Sequence, residues 1–221
     1  MVNVEQIVTR KYPSFAVKPK PVRHSALFCL RKLTHEQEVN QFLAEHGHCV
    51  GFDFIDKVLE YFNFSYTVSH TDRMNIPASG RVLIIANHPL GALDGLVLLK
   101  LIGEVRKDVR IIANDMLCSF EQLNPLLLPV DNLKRTTRKQ AISNITTALR
   151  NEEAVILFPA GEVSRAGPTG IKDSPWHAGF LRFASKTNSP ILPIFVGGKN
   201  SSLFYTVSSL NLSFSRIFLP C

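Results

Sequence analysis

The stretch RVLIIANHPLGALDG, residues 81–95, decides the class of fold. Its first half is an unbroken aliphatic run, which is typical of a buried strand, and its second half is rich in turn formers. A helix is predicted to follow near 93–102. His88 and Asp94 therefore lie where the strand gives way to the helix, a position at which proteins commonly place reactive groups.

The same alternation continues on the C-terminal side of this stretch. The apolar patterns predict three more strands and two more helices: strands at 109–113, 154–158 and 191–196, and helices near 136–150 and 176–186. Repeated β–α alternation predicts an α/β fold, in which a mostly parallel sheet is flanked by helices on both faces. We expect this domain to span residues 76–221.

Residues 1–75 are expected to form a basic N-terminal arm and a small helical, membrane-facing extension. The first 33 residues are predicted to be irregular, because they contain Pro13, Pro19 and Pro21. Helices are predicted at 34–45 and 52–62. The second helix has an apolar stripe that fits either core packing or a lipid-facing surface: Phe52, Ile55, Leu59 and Phe62, widened by Phe54, Val58 and Tyr61.

The formal net charge of +7 comes from one segment of the chain. Seven cations and no acidic residue lie between Gln6 and His35, and the other 18 basic residues balance the 18 acidic ones. Such a patch attracts anionic lipid head groups, nucleic acid or an acidic protein, or is simply a solvated arm. The seven are Arg10, Lys11, Lys18, Lys20, Arg23, Arg31 and Lys32.

Several classes of protein are not expected from this sequence. The four cysteines are scattered, which predicts reduced thiols and no metal site. The sequence contains no signal-peptide pattern and no apolar run of roughly 18 residues, so we expect a cytoplasmic protein, peripheral on the inner face of the membrane. It contains no nucleic-acid-binding motif, and nucleic acid is not an expected partner.

The first candidate for chemistry is His88 with Asp94. A carboxylate can orient an imidazole ring, whose other nitrogen then accepts a proton from a hydroxyl group. Gly91 and Gly95 let the loop bend so that Asp94 can return toward His88. The alternative is purely structural: His88 hydrogen-bonds a turn, and Asp94 begins the next helix.

The second candidate is LFPAGEVSR, residues 157–165, where another apolar strand ends in a turn. Its backbone amides, with Ser164 and Arg165, are suited to hold a phosphate or another anion, although an ordinary β–α connection has the same pattern. Ligands of open α/β sheets bind outside the carboxyl ends of the strands. We therefore expect the His88 loop and this turn to share one pocket.

Four motifs in order carry a resemblance to a known family: NHPLGALDG (87–95), FPAGEVSR (158–165), DSPWHAGFLRFA (173–184) and PILPIFVGGKNS (190–201). Together they resemble the phospholipid/glycerol acyltransferase superfamily. The closer similarity is to the bacterial hemolysin-like lysophospholipid acyltransferases, which include the O-acyltransferase part of some ornithine-lipid synthases. The resemblance covers roughly residues 70–205.

The resemblance implies a role for particular residues. His88 would be the general base and Asp94 would orient it, while Arg138, or failing that Arg135, would bind phosphate. Pro193 would match the final block of the family. The residues that would shape the acceptor site are Phe158, Pro159, Gly161, Glu162, Ser164 and Arg165.

The reaction that the resemblance implies is transfer of a fatty acyl group from acyl-CoA or acyl carrier protein to the hydroxyl of a lysophospholipid or lyso-aminolipid. It implies membrane lipids as partners, and neither a metal nor a cofactor, with backbone amides around Gly161 as candidate donors to the oxyanion. Two departures from the superfamily pattern are visible. Five residues separate His88 from Asp94 instead of four, and Ala160 replaces a usual Glu. A non-catalytic lipid- or acyl-binding module and a thioester hydrolase remain alternatives.

Overall fold

A computed structural model describes residues 2–113, 117–129, 135–167 and 170–200 of the chain. The contacts divide the chain into two compact units, Met1–Cys49 and Val50–Cys221. The division predicted between residues 75 and 76 stays a prediction.

The first unit is helical: α1 spans Val4–Lys11, α2 Pro13–Ala16, α3 Lys20–Leu33 and α4 Glu36–His46. The prediction that residues 1–33 are irregular was therefore wrong. The reason is where the three prolines lie, since Pro13 begins α2, Pro19 caps α3 and Pro21 is in the first turn of α3. A proline in a first turn has no N–H to lose from the helix, and its fixed φ suits the start of one.

Acidic residues just outside the cation-only segment pair with some of its charges. Glu5 accepts from Arg23 at 3.2 Å and from Arg31 at 3.3 Å, and Glu36 accepts from Arg31 at 3.1 Å. Exposed ion pairs of this kind contribute little stability, about 0–1 kcal/mol each. Their larger effect is to reduce the positive field that this unit presents to an anionic partner.

The second unit is an α/β fold. Its helices are α5 (Phe52–Tyr61), α6 (His70–Met74), α7 (Ala92–Gly103), α8 (Arg135–Arg150) and α9 (Gly179–Thr187), with 3-10 turns at Leu117–Ser119 and Glu121–Leu126. Its strands are β1 (Val82–Ala86), β2 (Val109–Ala113), β3 (Leu127–Pro129), β4 (Ala154–Leu157), β5 (Arg165–Gly167), β6 (Gly170–Lys172) and β7 (Ile191–Ile194).

Five of the strands form one parallel sheet in the order β3-β2-β4-β1-β7, which confirms the predicted fold class. The pair β5 and β6 forms a separate antiparallel hairpin, which the sequence patterns did not predict. Within the described residues no helix has the length and apolar character needed to cross a bilayer.

The core is built on both faces of β1, the strand whose five residues are all buried. On one face Leu83 and Ile85 belong to a cluster with side chains of α8 and α9, among them Leu149 and Ala184. Helix α5 packs against α7, where a Cβ added to Gly103 would come within 2.2 Å of the Phe52 ring.

The apolar stripe of α5 belongs mainly to the core. Phe54, Ile55 and Leu59 are buried, whereas Tyr61 and Phe62 at the end of the helix are exposed. Of the two alternatives that the sequence left open, core packing therefore accounts for the middle of the stripe.

A buried arginine secures the edge of the sheet at which the strands begin. Nε and Nη2 of Arg106 each donate to Asp108 at 2.7 Å, and the same guanidinium donates to the carbonyls of Pro77, Gly80 and Glu152. The hydrogen bonds from Arg106 hold the pKa of Asp108 below its usual range. Arg81 similarly lowers the pKa of the Glu152 carboxyl by hydrogen bonding to it.

Candidate active site

The carboxyl ends of β1 and β4 lie side by side, because these two strands are neighbours in the sheet. The Ser164 N–H donates to the His88 carbonyl at 2.8 Å, so the turn that follows β4 hydrogen-bonds the loop that follows β1. A Cβ at Gly91 would lie 3.4 Å from Val163, which is ordinary contact distance. The two segments that the sequence singled out therefore lie against each other at one edge of the sheet.

His88 and Asp94 form a buried pair. The His88 Nδ1 lies 3.0 Å from the Asp94 Oδ2, and the two side chains are 2% and 0% exposed. The N–H groups of Leu90 and Gly91 donate to the same oxygen at 2.8 and 3.1 Å. Gly91 has φ +75°, a left-handed conformation that turns the loop back toward α7 and that favours glycine.

Asp94 thus does two things at once. It accepts from backbone N–H groups at the start of α7, which is the structural role considered for it, and it also contacts the His88 ring. Because a carboxylate oxygen accepts hydrogen bonds and cannot donate one, we assign the proton of the imidazole to Nδ1 and the lone pair to Nε2.

The other side of the His88 ring is held by an aromatic neighbour. The ring stacks on Phe158, with 3.8 Å between centroids and 17° between planes. Nε2 is buried and has no hydrogen-bond partner within the described part of the chain. A buried, fixed nitrogen with an unused lone pair is suited to accept a proton from a hydroxyl group brought to it.

The main chain around His88 is fixed by side chains from distant parts of the sequence. The Asn87 amide donates to and accepts from the Val196 backbone, at 2.9 and 2.7 Å. Asn200 donates to the Pro89 carbonyl at 2.8 Å. The residues on both sides of His88 are therefore held by the segment that follows β7.

Asp173 joins three pieces of the site. One of its oxygens accepts from the His88 N–H at 3.2 Å and from the Ser164 hydroxyl at 2.5 Å, and the other accepts from Trp176 Nε1 at 2.9 Å. The carboxylate therefore fixes the loop after β1, the turn after β4 and the segment before α9 relative to one another.

A cavity of about 350 Å³ lies next to the His88 backbone. The His88 ring does not line it, although Asn87 and Pro89, on either side of His88, do. Nε2 is thus closed off from this cavity in the described arrangement. The remaining lining residues are Ser164, Ile171, Lys172, Asp173, Trp176, Phe195, Val196 and Gly198.

A family of proteins described as acyltransferases matches this chain over residues 6–218. The chain belongs to this acyltransferase family. The resemblance seen in the four motifs is confirmed by this match, and the enzyme is an acyltransferase.

Two curated proteins are similar to this acyltransferase over most of its length. They are the lyso-glycine lipid O-acyltransferases of Phocaeicola vulgatus and Bacteroides thetaiotaomicron, each 27% identical over 211 residues. The aligned region covers 95% of this chain, and 74% and 75% of the two relatives respectively.

The residues expected to shape the acceptor site of the acyltransferase lie in the turn after β4. Glu162 and Arg165 form an ion pair at 2.7 Å, and Ser174 donates to the same Glu162 carboxylate. Arg165 Nη1 is buried, and it has no partner among the residues that the structure describes. This nitrogen is therefore a buried donor next to the Ser164 position that lines the cavity.

The backbone of this turn is partly engaged already. The Gly161 N–H donates to the Phe158 carbonyl at 3.1 Å, so it is not a free donor for an oxyanion in this arrangement. The Pro159 carbonyl accepts from the His177 N–H at 3.0 Å.

Three expected residues are not placed at the site. Arg138 and Arg135 are in α8, but their side chains lie outside the described residues, so the expected phosphate contact stays a prediction. Pro193 is in β7 beside Ile85, and it is exposed.

Among the described residues no group of three or more His, Cys, Asp or Glu side chains has the arrangement of a metal site.

Sequence reasoning missed the residues that position the His88 loop in the acyltransferase. Asn87, Asp173 and Asn200 all stand within the four quoted motifs, yet none was given a role. Asn and Asp side chains commonly hydrogen-bond nearby backbone in loops, and their place in the loops of these motifs is the signal that identifies them as candidates for such contacts.

Proposed function

We propose that this acyltransferase moves a fatty acyl group from a thioester to the hydroxyl of a lyso-lipid, with His88 as the general base. The observation that carries the proposal is the Nε2 of His88, which has no partner within the described residues, on a ring that Asp94 holds from the other side. Support for a lyso-lipid acceptor comes from the names of the two relatives.

In the proposed mechanism, Nε2 accepts the hydroxyl proton as the hydroxyl oxygen attacks the thioester carbonyl carbon. The C–O bond forms, the tetrahedral intermediate collapses with cleavage of the C–S bond, and the imidazolium returns its proton to the leaving thiolate. General-base catalysis of this kind contributes roughly 10²–10⁴-fold to the rate. Asp94 stabilises the imidazolium through the hydrogen bond to Nδ1.

The Glu162–Arg165 pair supports a weakly charged acceptor head group. Glu162 neutralises most of the charge of Arg165, which leaves Nη1 as a hydrogen-bond donor more than as a full positive charge. Beside such a pair, a phosphate dianion lacks the attraction that an unpaired arginine would give it. We therefore propose a lyso-aminolipid, of the kind named for the relatives, ahead of a lysophospholipid.

The burial of the His88 ring requires the site to open before an acceptor can react. The cavity is already lined by the residues on both sides of His88, and displacement of the groups around the ring would bring Nε2 to its wall. Closing again would exclude water, which competes with the acceptor for the acyl group.

The test is an assay of the purified full chain with a radiolabelled acyl thioester, supplied as acyl-CoA in one arm and acyl carrier protein in another. Acceptors are a lyso-glycine lipid and a lysophosphatidic acid. We expect release of free thiol together with an acylated lipid, and a fall of about 10²–10⁴-fold in His88→Ala.

Three outcomes would contradict the proposal. Undiminished turnover in His88→Ala would remove the general base. Free fatty acid formed at the same rate without acceptor would identify a thioester hydrolase. Tight binding of lyso-lipid without thiol release, with either donor, would identify a non-catalytic lipid-binding module.

The proposal also covers the acyl donor and the location of the enzyme in the cell. The donor is acyl-CoA or acyl carrier protein, and the two arms of the assay distinguish them. No other cofactor enters the mechanism. We propose that the enzyme acts on the cytoplasmic face of the membrane, where its acceptor and product reside.

A further inference from the structure

The mouth of the cavity is lined by three large apolar side chains that face solvent. Ile171, Trp176 and Phe195, here called the cavity rim, are 39%, 42% and 85% exposed. Phe195 is the most exposed of the large apolar side chains in the described part of the chain. Three such residues around one opening form an apolar surface next to a polar interior, in which Ser164 and Asp173 lie.

The segment that contains the cavity rim is positively charged. Residues 170–200 carry four cations and one carboxylate, a net charge of +3. That carboxylate, Asp173, is half-buried and accepts from donors inside the site, whereas the four cations are exposed. The cations are Lys172, Arg182, Lys186 and Lys199.

The surface of an anionic bilayer has a charged head-group layer over an apolar layer of acyl chains. The exposed cations of this segment suit the first layer, and its apolar and aromatic side chains suit the second. Aromatic rings of this kind prefer the boundary between head groups and acyl chains, and lysine and arginine are attracted to anionic head groups. Exposed apolar patches mark protein interfaces as well as membrane contacts. We favour a membrane over an acidic protein because the acceptor of the proposed reaction is a lipid, which reaches the cavity most directly from a bilayer.

We infer that the cavity rim inserts into the head-group layer of an anionic membrane, so that the cavity opens directly toward the lipid. This inference rests on the proposed function, because it names the surface through which a lyso-lipid acceptor reaches His88. It places the membrane contact at Ile171, Trp176 and Phe195. The exposed end of α5, at Tyr61 and Phe62, is then not the principal contact.

The chain contains a natural probe of this contact, since Trp176 is its single tryptophan. The test adds vesicles of phosphatidylcholine and phosphatidylglycerol to the full chain and records Trp emission, with brominated lipids as quenchers. We expect a shift of the emission to shorter wavelength and quenching by bromine atoms near the head groups. Vesicle binding that leaves the emission and the quenching unchanged would overturn the inference.

Variants locate the contact by vesicle sedimentation. Phe195→Ser is expected to lower the partition coefficient about tenfold or more, because a buried Phe side chain contributes at least that much. Met74→Ser, at a residue 72% exposed in α6, is the matched control and should bind normally. A loss in Phe62→Ser that exceeds the loss in Phe195→Ser would instead assign the contact to the end of α5.

The charge contribution is tested in the same assay. Lys199→Gln is expected to weaken binding to anionic vesicles about fivefold and to leave binding to phosphatidylcholine alone unchanged. Equal binding of the wild type to both kinds of vesicle would overturn the electrostatic part of the inference. A change of Trp emission with acyl carrier protein but not with vesicles would assign the rim to protein docking.

Failure of this inference is distinguishable from failure of the proposed function. Sedimentation and Trp emission are measured without a thioester, so they report the membrane contact whether or not acyl transfer takes place. His88→Ala, which should lose turnover, is expected to bind vesicles as the wild type does.

Discussion

Replacing Asp94 by Asn removes a charge at the site while leaving its geometry in place. The N–H groups of Leu90 and Gly91 both donate to Oδ2, so they require an acceptor at that position. We expect them to hold the amide oxygen of the substituted side chain there, with its NH₂ group in place of Oδ1. His88 then keeps its proton on Nδ1, and the effect of the charge is isolated.

The size of the expected effect on kcat follows from the distance between His88 and Asp94. Two unit charges 3.0 Å apart interact by about 5 kcal/mol at an effective dielectric constant of about 20. If about half of the proton charge has reached the imidazole in the transition state, Asp94→Asn loses about 2–3 kcal/mol of transition-state stabilisation. This corresponds to a decrease of roughly 30–150-fold in kcat. The free energy of unfolding should change by about 1 kcal/mol or less, since Oδ1 has no partner within the described residues even in the wild type.

Asp94→Ala is the comparison variant. It leaves two backbone N–H groups and the Nδ1 of His88 without an acceptor, at about 1–3 kcal/mol each. We expect loss of activity together with a clear fall in thermal stability, in contrast to Asp94→Asn.

The assay measures thiol release at saturating acceptor, with kcat compared among the wild type, Asp94→Asn, Asp94→Ala and His88→Ala, and thermal unfolding followed by circular dichroism. The reasoning is refuted if Asp94→Asn is fully folded and either retains wild-type kcat or is as slow as His88→Ala. The first result would mean that the charge is irrelevant, and the second that the amide turns its NH₂ toward the ring.

Three further predictions concern the edge where the strands begin and the loops of the site. Arg106→Met should lower the free energy of unfolding by about 3–5 kcal/mol in urea titrations, mainly because it leaves three carbonyls without their donor, at about 1–3 kcal/mol each. A wild-type urea midpoint in this variant would contradict the described role of Arg106. Because Arg106 lowers the pKa of Asp108, this pair stabilises the fold above the ordinary pKa of a carboxyl, and that stability is lost as the pH falls through the lowered value. The urea midpoint of the wild type should therefore decline below about pH 4, more steeply than that of Asp108→Asn. Asp173→Ala should lower kcat about tenfold with a smaller change in KM, because the His88 N–H and the Ser164 hydroxyl lose their acceptor. Trp176→Phe, which removes only one donor to the same carboxylate, should retain more activity, and equal losses in the two variants would argue against a positioning role for Asp173.

Much of the α/β unit follows from regular patterns in the sequence. The aliphatic run at 82–86 is typical of a buried strand. Beyond it, the spacing of apolar residues predicts the boundaries of most helices and strands to within a few residues of those observed. The meeting of His88 and Asp94 was also predictable, because Gly91 permits the left-handed turn that brings them together. The closeness of the two strand-end loops follows from the parallel sheet itself.

Other features of the structure correspond to no regular spacing of apolar residues in the sequence. The sequence pattern does not reveal the N-terminal helices, because proline breaks a helix in its interior but begins one in its first turn. The β5–β6 hairpin has three residues in each strand, too few for an alternating pattern to be visible. The burial of the His88 ring depends on Phe158, and that stacking comes from the tertiary packing of two separate loops.

The pairing of β1 has a consequence for how the protein is made. Its two neighbours in the sheet, β4 and β7, begin at residues 154 and 191, so both edges of the most apolar strand remain unpaired while many further residues leave the ribosome. Contacts of such long sequence separation slow folding and expose strand edges to aggregation. Production of the enzyme should therefore depend on chaperone capacity and on translation temperature more than its compact sheet would suggest.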